Sequence, residues 1–338
     1  MKNIKKILII RCGALGDLVY STSVIDALIL QFGSETIIDY VCTPGTVTLF
    51  EKDSRVRHVF PLKHRKLPIF LSKQKKKIIN FSKEYPYDIM INFEKGNQFK
   101  SLLQNIISKQ KIGRYFSTII YPLNMTHVVE RTKEVYKDII DIENFNKSFP
   151  RLIGSSIENV KSKYSLPNKY IIISPSNSHQ KRNIINYRAW DNEKWIELIE
   201  KLSKKCPVVI IGNKTEDNFF NKLKPYPLNV IDLVGKTSLV DLVGVINGSH
   251  SLISTDTGTA HIASAVNTEV FALIGPTPAD VTGPYKTVSN KVNIISENLE
   301  CSPCYKTKIM KECKDNLCMK NIKVSRVYSL LINSLERK

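Results

Sequence analysis

Residues 251–285 read SLISTDTGTAHIASAVNTEVFALIGPTPADVTGPY. A short apolar run, Leu252 to Ser254, enters the polar turn Thr255-Asp256-Thr257-Gly258. A helix is predicted from Ala260 to Val266, and a second apolar run, Val270 to Ile274, ends at Gly275-Pro276-Thr277. Strand, turn, helix and strand in this order form the repeating unit of a parallel α/β sheet. A helix starting after Asp256 leaves the backbone N–H groups from Thr257 to Thr259 without intrahelical partners, a ready site for a diphosphate. Gly258 keeps that approach open. His261, one turn in, is placed to reach the same phosphates or a sugar hydroxyl, or to serve as a structural histidine.

The same rhythm runs through the chain. Apolar runs recur at Ile7 to Ile10, Ile37 to Val41, Asp88 to Asn92, Ile171 to Ser174 and Val208 to Ile211, with helical stretches between them. A polar, strandless stretch from about Asn144 to Lys169, punctuated by Pro150, Gly154 and Pro167, separates two sets of runs. Two domains are therefore expected, residues 1–155 and 156–338, each a doubly wound, Rossmann-like α/β sheet, facing each other across a cleft. Ligands of such sheets bind outside the carboxyl ends of the strands, so the loops after Ile10, Ile173, Ile211 and Ser254 should carry the chemistry.

The first of these loops reads Arg11-Cys12-Gly13-Ala14-Leu15-Gly16-Asp17 and runs into an apolar helix, LVYSTSVIDALILQFG. Gly13 and Gly16 let backbone approach a ligand, but neither a dinucleotide fingerprint nor a Walker A loop is present. Asp17 sits near a helix N-terminus, where a carboxylate is either a general base or a cap. After Ser174 comes PSNSHQKRN, whose Lys181 and Arg182 can neutralise an anion; after Ile211 comes GNKTED, where Glu216 or Asp217 can accept ribose hydroxyls. Taken singly, either pair also reads as surface charge. The tail carries Cys301-x2-Cys304-x8-Cys313-x4-Cys318, a spacing that fits a structural zinc or iron site held by four thiolates, and fits four free thiols as well.

Composition narrows the class. With 338 residues, 42% of them apolar, the chain can bury a full core without disulfides, and its seven cysteines are an odd count without the pattern of a secreted framework. No apolar run approaches the roughly 20 residues of a membrane span, and Arg11 cuts the first run short, so a cytoplasmic protein is expected. Lys and Arg (50) exceed Asp and Glu (31), a formal charge of +19 that attracts nucleic acid, anionic lipid and phosphorylated small molecules alike. Its densest part is Lys63 to Lys77, KHRKLPIFLSKQKKK, which reads either as a solvated face or as a surface for anionic lipid. No nucleic-acid module or aromatic interleaving of the basic face is present, so a specific nucleic-acid partner is not expected.

Taken together, GALGDLVYSTSVIDAL near the N-terminus, STDTGTAHIASAVNTEVFALIGPT and the closing CSPC…C…CMKNI resemble glycosyltransferase family 9, the ADP-heptose:lipopolysaccharide heptosyltransferases. The stretch from about Lys63 to Lys169 matches no motif. The resemblance implies a GT-B fold, with an acceptor-binding N-terminal domain and a nucleotide-sugar-binding C-terminal one. It also implies an inverting transfer that needs no cofactor, in keeping with the absence of an Asp-x-Asp motif. Asp17 becomes the general base. Lys181 or Arg182, with the N–H groups of Thr257 and Gly258, would stabilise the leaving diphosphate; Asp256 and His261 would orient sugar or nucleotide, and Glu216 the ribose. Family members often carry a tryptophan soon after the basic residue, whereas RNIINYRA separates Lys181 from Trp190 here. The implied partners are an ADP-sugar, a lipopolysaccharide-core or other lipid-linked acceptor, and the anionic inner-membrane surface. Another nucleotide sugar, or a protein acceptor, is the alternative.

Overall fold

The computed structural model describes residues 4–63, 67–117, 119, 127–177 and 186–337. The chain forms two compact units, Met1–Gly154 and Ser155–Lys338.

In the first unit the described residues form five parallel strands, β1 (Lys6–Ile10), β2 (Ile37–Cys42), β3 (His58–Pro61), β4 (Tyr87–Asn92) and β5 (Ser108–Gly113), in the order β3-β2-β1-β4-β5. Ile7 to Ile10 are fully buried because helices cover both faces of the central strand, which is why it reads as an unbroken apolar run. The helical stretch after the first loop is divided into α1 (Leu15–Ser21) and α2 (Ser23–Phe32). At the break, the Thr22 hydroxyl donates back to the Val19 carbonyl at 2.7 Å.

Leu15–Phe32, 18 residues of mean hydropathy 1.3, is long and apolar enough to cross a membrane by length and composition. Its apolar character has another use here: Leu18, Val24, Ile25, Ala27 and Leu28 are fully buried, as in a core helix.

The second unit adds, among the described residues, six parallel strands: β6 (Ile171–Ser174), β7 (Val208–Ile210), β8 (Val230–Asp232), β9 (Ser251–Thr255), β10 (Glu269–Leu273) and β11 (Val292–Ile295). Their order is β11-β10-β9-β6-β7-β8. Its core gathers Ile171, Ile173, Val208, Ile253 and Phe271 from the sheet with Trp195, Leu198 and Leu202 from the helix Asn192–Ser203. Trp190 and Trp195 meet edge to face, ring centres 4.8 Å apart.

The start of this unit is tied down by Asp241, which accepts hydrogen bonds from the Ser155 hydroxyl (2.6 Å), Lys163 Nζ (2.7 Å) and the Tyr164 hydroxyl (2.8 Å). Burial alone would raise its pKa, but these bonds, led by Lys163, bring it down to about 2. Its contribution to stability is therefore complete above the unfolded carboxyl value of about 3.9, and is lost as pH falls through about 2. Asp241→Asn is expected to cost about 2 kcal/mol at neutral pH, with the gap to the parent closing in strong acid; urea unfolding of both proteins across that range is the check.

Candidate active site

Each sheet reverses its strand order once, at β1/β4 in the first unit and at β6/β9 in the second, and crevices open at the carboxyl ends of such pairs. The polar loops gather at these two places.

In the first unit the loop after β1 carries Arg11 and the loop after β4 carries Glu94. The Cys12 N–H donates to Glu94 Oε1 at 2.7 Å, and Arg11 Nη1 lies 3.6 Å from the same oxygen. Asp17, in the first turn of α1, is held at both oxygens: Arg11 Nη2 stands 2.8 Å from Oδ1, and the Ala14 N–H donates to Oδ2 at 3.2 Å. The carboxylate thus does cap its helix. It is also 41% exposed, open to a ligand from solvent. Gly13 is required by close approach, since a Cβ there would lie 2.6 Å from Asp17 Cβ; Gly16 is the second residue of α1.

The stretch without a recognised motif supplies more than expected. Besides Glu94 it brings Lys95, whose pKa is lowered by partial burial and then by the positive charges of Arg114, Arg11 and Arg131. Arg11, Lys95 and Arg114 follow β1, β4 and β5 at the carboxyl edge of this sheet, which makes that edge cationic.

In the second unit the helix Gly258–Ala265 begins directly after Asp256 and Thr257. The Thr259 hydroxyl donates to Ser174 Oγ at 2.9 Å, which ties the helix start to the end of β6. The Ser176 hydroxyl then donates to Glu216 at 2.7 Å, and the Asn213 N–H to the same carboxylate oxygen at 3.3 Å. Glu216 and Asp256 thus stand on one sheet edge, linked through the loop after β6. His261 is buried in the first turn of the helix. The hydroxyls of Thr255, at the end of β9, and Thr277, in the loop after β10, are buried without a hydrogen-bond partner among the described residues, the kind of group a polar ligand satisfies.

Lys181 and Arg182 lie outside the described residues. Among the described residues the cation beside Asp256 is Arg188, which sequence reasoning missed. Its Nη1 lies 3.4 Å from Asp256 Oδ2 and 3.4 Å from the Asp256 carbonyl, and its guanidinium stacks 4.5 Å over the Tyr305 ring. Its Nε is buried and unpartnered among the described residues, a donor that a phosphate oxygen would fill. The signal was present: Arg188 stands two residues before Trp190, the relation between basic residue and tryptophan that the family favours.

The cysteine tail braces this segment. The Tyr187 hydroxyl donates to the Cys313 carbonyl (3.2 Å), Asn316 Nδ2 to the Ala189 carbonyl (3.2 Å), and Trp190 Nε1 to the Ile322 carbonyl (3.0 Å). The Cys304 N–H meets the Pro276 carbonyl at 2.9 Å, and Gly275 leaves room for Met319 and Cys318. Burial and the nearby thiols of Cys304, Cys301 and Cys313 push Cys318 up to about 11. Among the described residues, however, no three His, Cys, Asp or Glu side chains stand as a group that could hold a metal, and the Cys313 thiol is directed at the Asp315 carbonyl. The tail does not fit a zinc or iron ion as it is arranged here, and no chemical step is derived through one.

Comparison with known proteins bears on the family and the fold. The family model of glycosyltransferase family 9 (heptosyltransferase) matches residues 111–314. Lipopolysaccharide heptosyltransferase 3 of Escherichia coli is 23% identical over 287 residues, 78% of this chain and 81% of that protein. The glycosyl transferase family 9 structure from Veillonella parvula superposes with a TM-score of 0.80 at 18% identity, covering 100% of this chain and 99% of that one. E. coli ADP-heptose LPS heptosyltransferase II gives 0.76 at 20% identity, covering 98% of each chain. The fold is that of these GT-B enzymes.

Proposed function

This chain belongs to glycosyltransferase family 9, and from that premise we propose that it transfers a heptose from ADP-heptose to a hydroxyl of a lipopolysaccharide-core or similar lipid-linked acceptor. The donor half rests on one observation, the group formed by Arg188, Asp256 and the N-terminus of the helix Gly258–Ala265 at the β6/β9 crevice. Backbone N–H groups and a half-buried guanidinium together hold a diphosphate and stabilise the charge it gains as it leaves, the part a metal plays in other transferases. Glu216 takes the ribose hydroxyls, and Asp256 and His261 orient the sugar. The names of the relatives support heptose, and the cationic edge of the first unit supports an acidic acceptor.

In the reaction, the acceptor hydroxyl passes its proton to the Asp17 carboxylate while its oxygen attacks the anomeric carbon. The bond from that carbon to the diphosphate breaks, ADP leaves with the electron pair, and configuration at the carbon inverts. Such an enzyme works on the cytoplasmic side of the membrane, where nucleotide sugars are made.

Calorimetric titration with ADP, UDP, GDP and CMP, with and without added magnesium, and then with ADP-heptose, tests the donor. Selective binding of ADP and its sugar, indifferent to metal, is expected. Preference for UDP or GDP would keep the transferase and discard the heptose.

A further inference from the structure

The lysine-rich segment of the first unit is built as a rigid, outward-facing element. A short turn, Ile69–Leu71, precedes α3 (Lys73–Glu84). Ile69 packs against the core with Phe81, while Phe70 and Leu71 stand 70% and 60% exposed and Leu67 40%. Exposed apolar side chains on a mobile loop would mean little, but this turn is fastened. The ammonium of the buried Lys75 donates to the Leu67 carbonyl (2.8 Å) and the Gln98 carbonyl (3.0 Å), and Ser72 caps α3 through the Lys75 N–H. On α3, Ile78 and Ile79 face the core, and Lys73, Lys76, Lys77, Asn80 and Lys83 are exposed. Their spacing puts four lysines on one helical face beside the apolar turn.

Two apolar residues at a fixed tip, bordered by a cationic helix face, match the surface of an anionic bilayer: lysines meet the headgroups while Phe70 and Leu71 enter the acyl boundary. The segment follows β3 and is fastened to the loop after β4, so it belongs to the same sheet edge as Asp17. We infer that Leu67, Phe70, Leu71 and the lysine face of α3 dock this protein on anionic phospholipid, with Phe70 and Leu71 inserted. This deepens the lipid-linked acceptor reading, yet its test needs neither donor nor acceptor.

The full chain is sedimented with phosphatidylcholine vesicles, pure or containing phosphatidylglycerol, at rising salt. Expected are binding to the anionic vesicles only, weakening with salt. Lys73→Ser/Lys76→Ser/Lys77→Ser should lower partitioning about fivefold per lysine, about a hundredfold in all, and Phe70→Ser/Leu71→Ser about tenfold or more. In Phe70→Trp, indole emission should shift to the blue on anionic vesicles alone. Equal binding to neutral vesicles, or binding undiminished in both variants, would overturn the inference; so would duplex DNA displacing the vesicles and binding through the same residues, which would assign the surface to another polyanion. ADP titration of the same proteins separates the two readings. If ADP fails to bind while vesicle binding behaves as described, the donor reading falls and the docking surface stands.

Discussion

Asp17→Asn is expected to leave the affinity for ADP nearly unchanged and to lower the transfer rate by about 10²–10⁴-fold. The amide keeps the size of the carboxylate and can still accept from the Ala14 N–H, so α1 should keep its cap. What it cannot do is take a proton from the acceptor hydroxyl. Because Asp17 lies in the first unit and the proposed nucleotide-binding groups in the second, binding and turnover should separate cleanly. Weakened ADP binding with transfer retained would remove Asp17 from its role as base, and a fall in melting temperature with both functions intact would leave it a cap only.

Arg188→Ala should weaken ADP binding about 10- to 100-fold, the loss expected when one charge-assisted donor set is removed from a phosphate. The same change strips Asp256, almost fully buried, of its cation and removes the guanidinium that lies over Tyr305. A lowered melting temperature is therefore expected alongside the binding loss. Arg188→Lys separates the two effects: it keeps the charge, loses the fork geometry, and should restore stability more fully than affinity. Unchanged ADP affinity in a folded Arg188→Ala protein would transfer the phosphate-binding role to Lys181 or Arg182.

The central strands were legible in the sequence because they are buried on both faces, as in Ile171 to Ser174 and Val208 to Ile210. The four strands that escaped, β3, β5, β8 and β11, are the outer strands of the two sheets. Partly exposed, with sequences such as SKQKIG in β5, they carry no continuous apolar run. The turn at Asp256 could be placed by motif because its function depends on local backbone. Arg188 depends instead on contacts more than 60 residues away, with Asp256 and Tyr305, and its place two residues before Trp190 was the one local mark it carried. Glu94 and Lys95 were missed for a related reason: what marks them is the crossover that sets β4 beside β1.

The brace formed by residues 304–322 also sets an order of events during synthesis. The sheet of the second unit is encoded before the tail, so a growing chain can close that sheet while the segment from Tyr187 to Trp190 still lacks the carbonyls of Cys313 and Ile322 and the ring of Tyr305. Arg188, the proposed phosphate-binding cation, is thus fixed among the last parts of the molecule. A chain clipped before the tail would carry the sheet without a settled Arg188, and under the proposed function would hold its nucleotide sugar poorly.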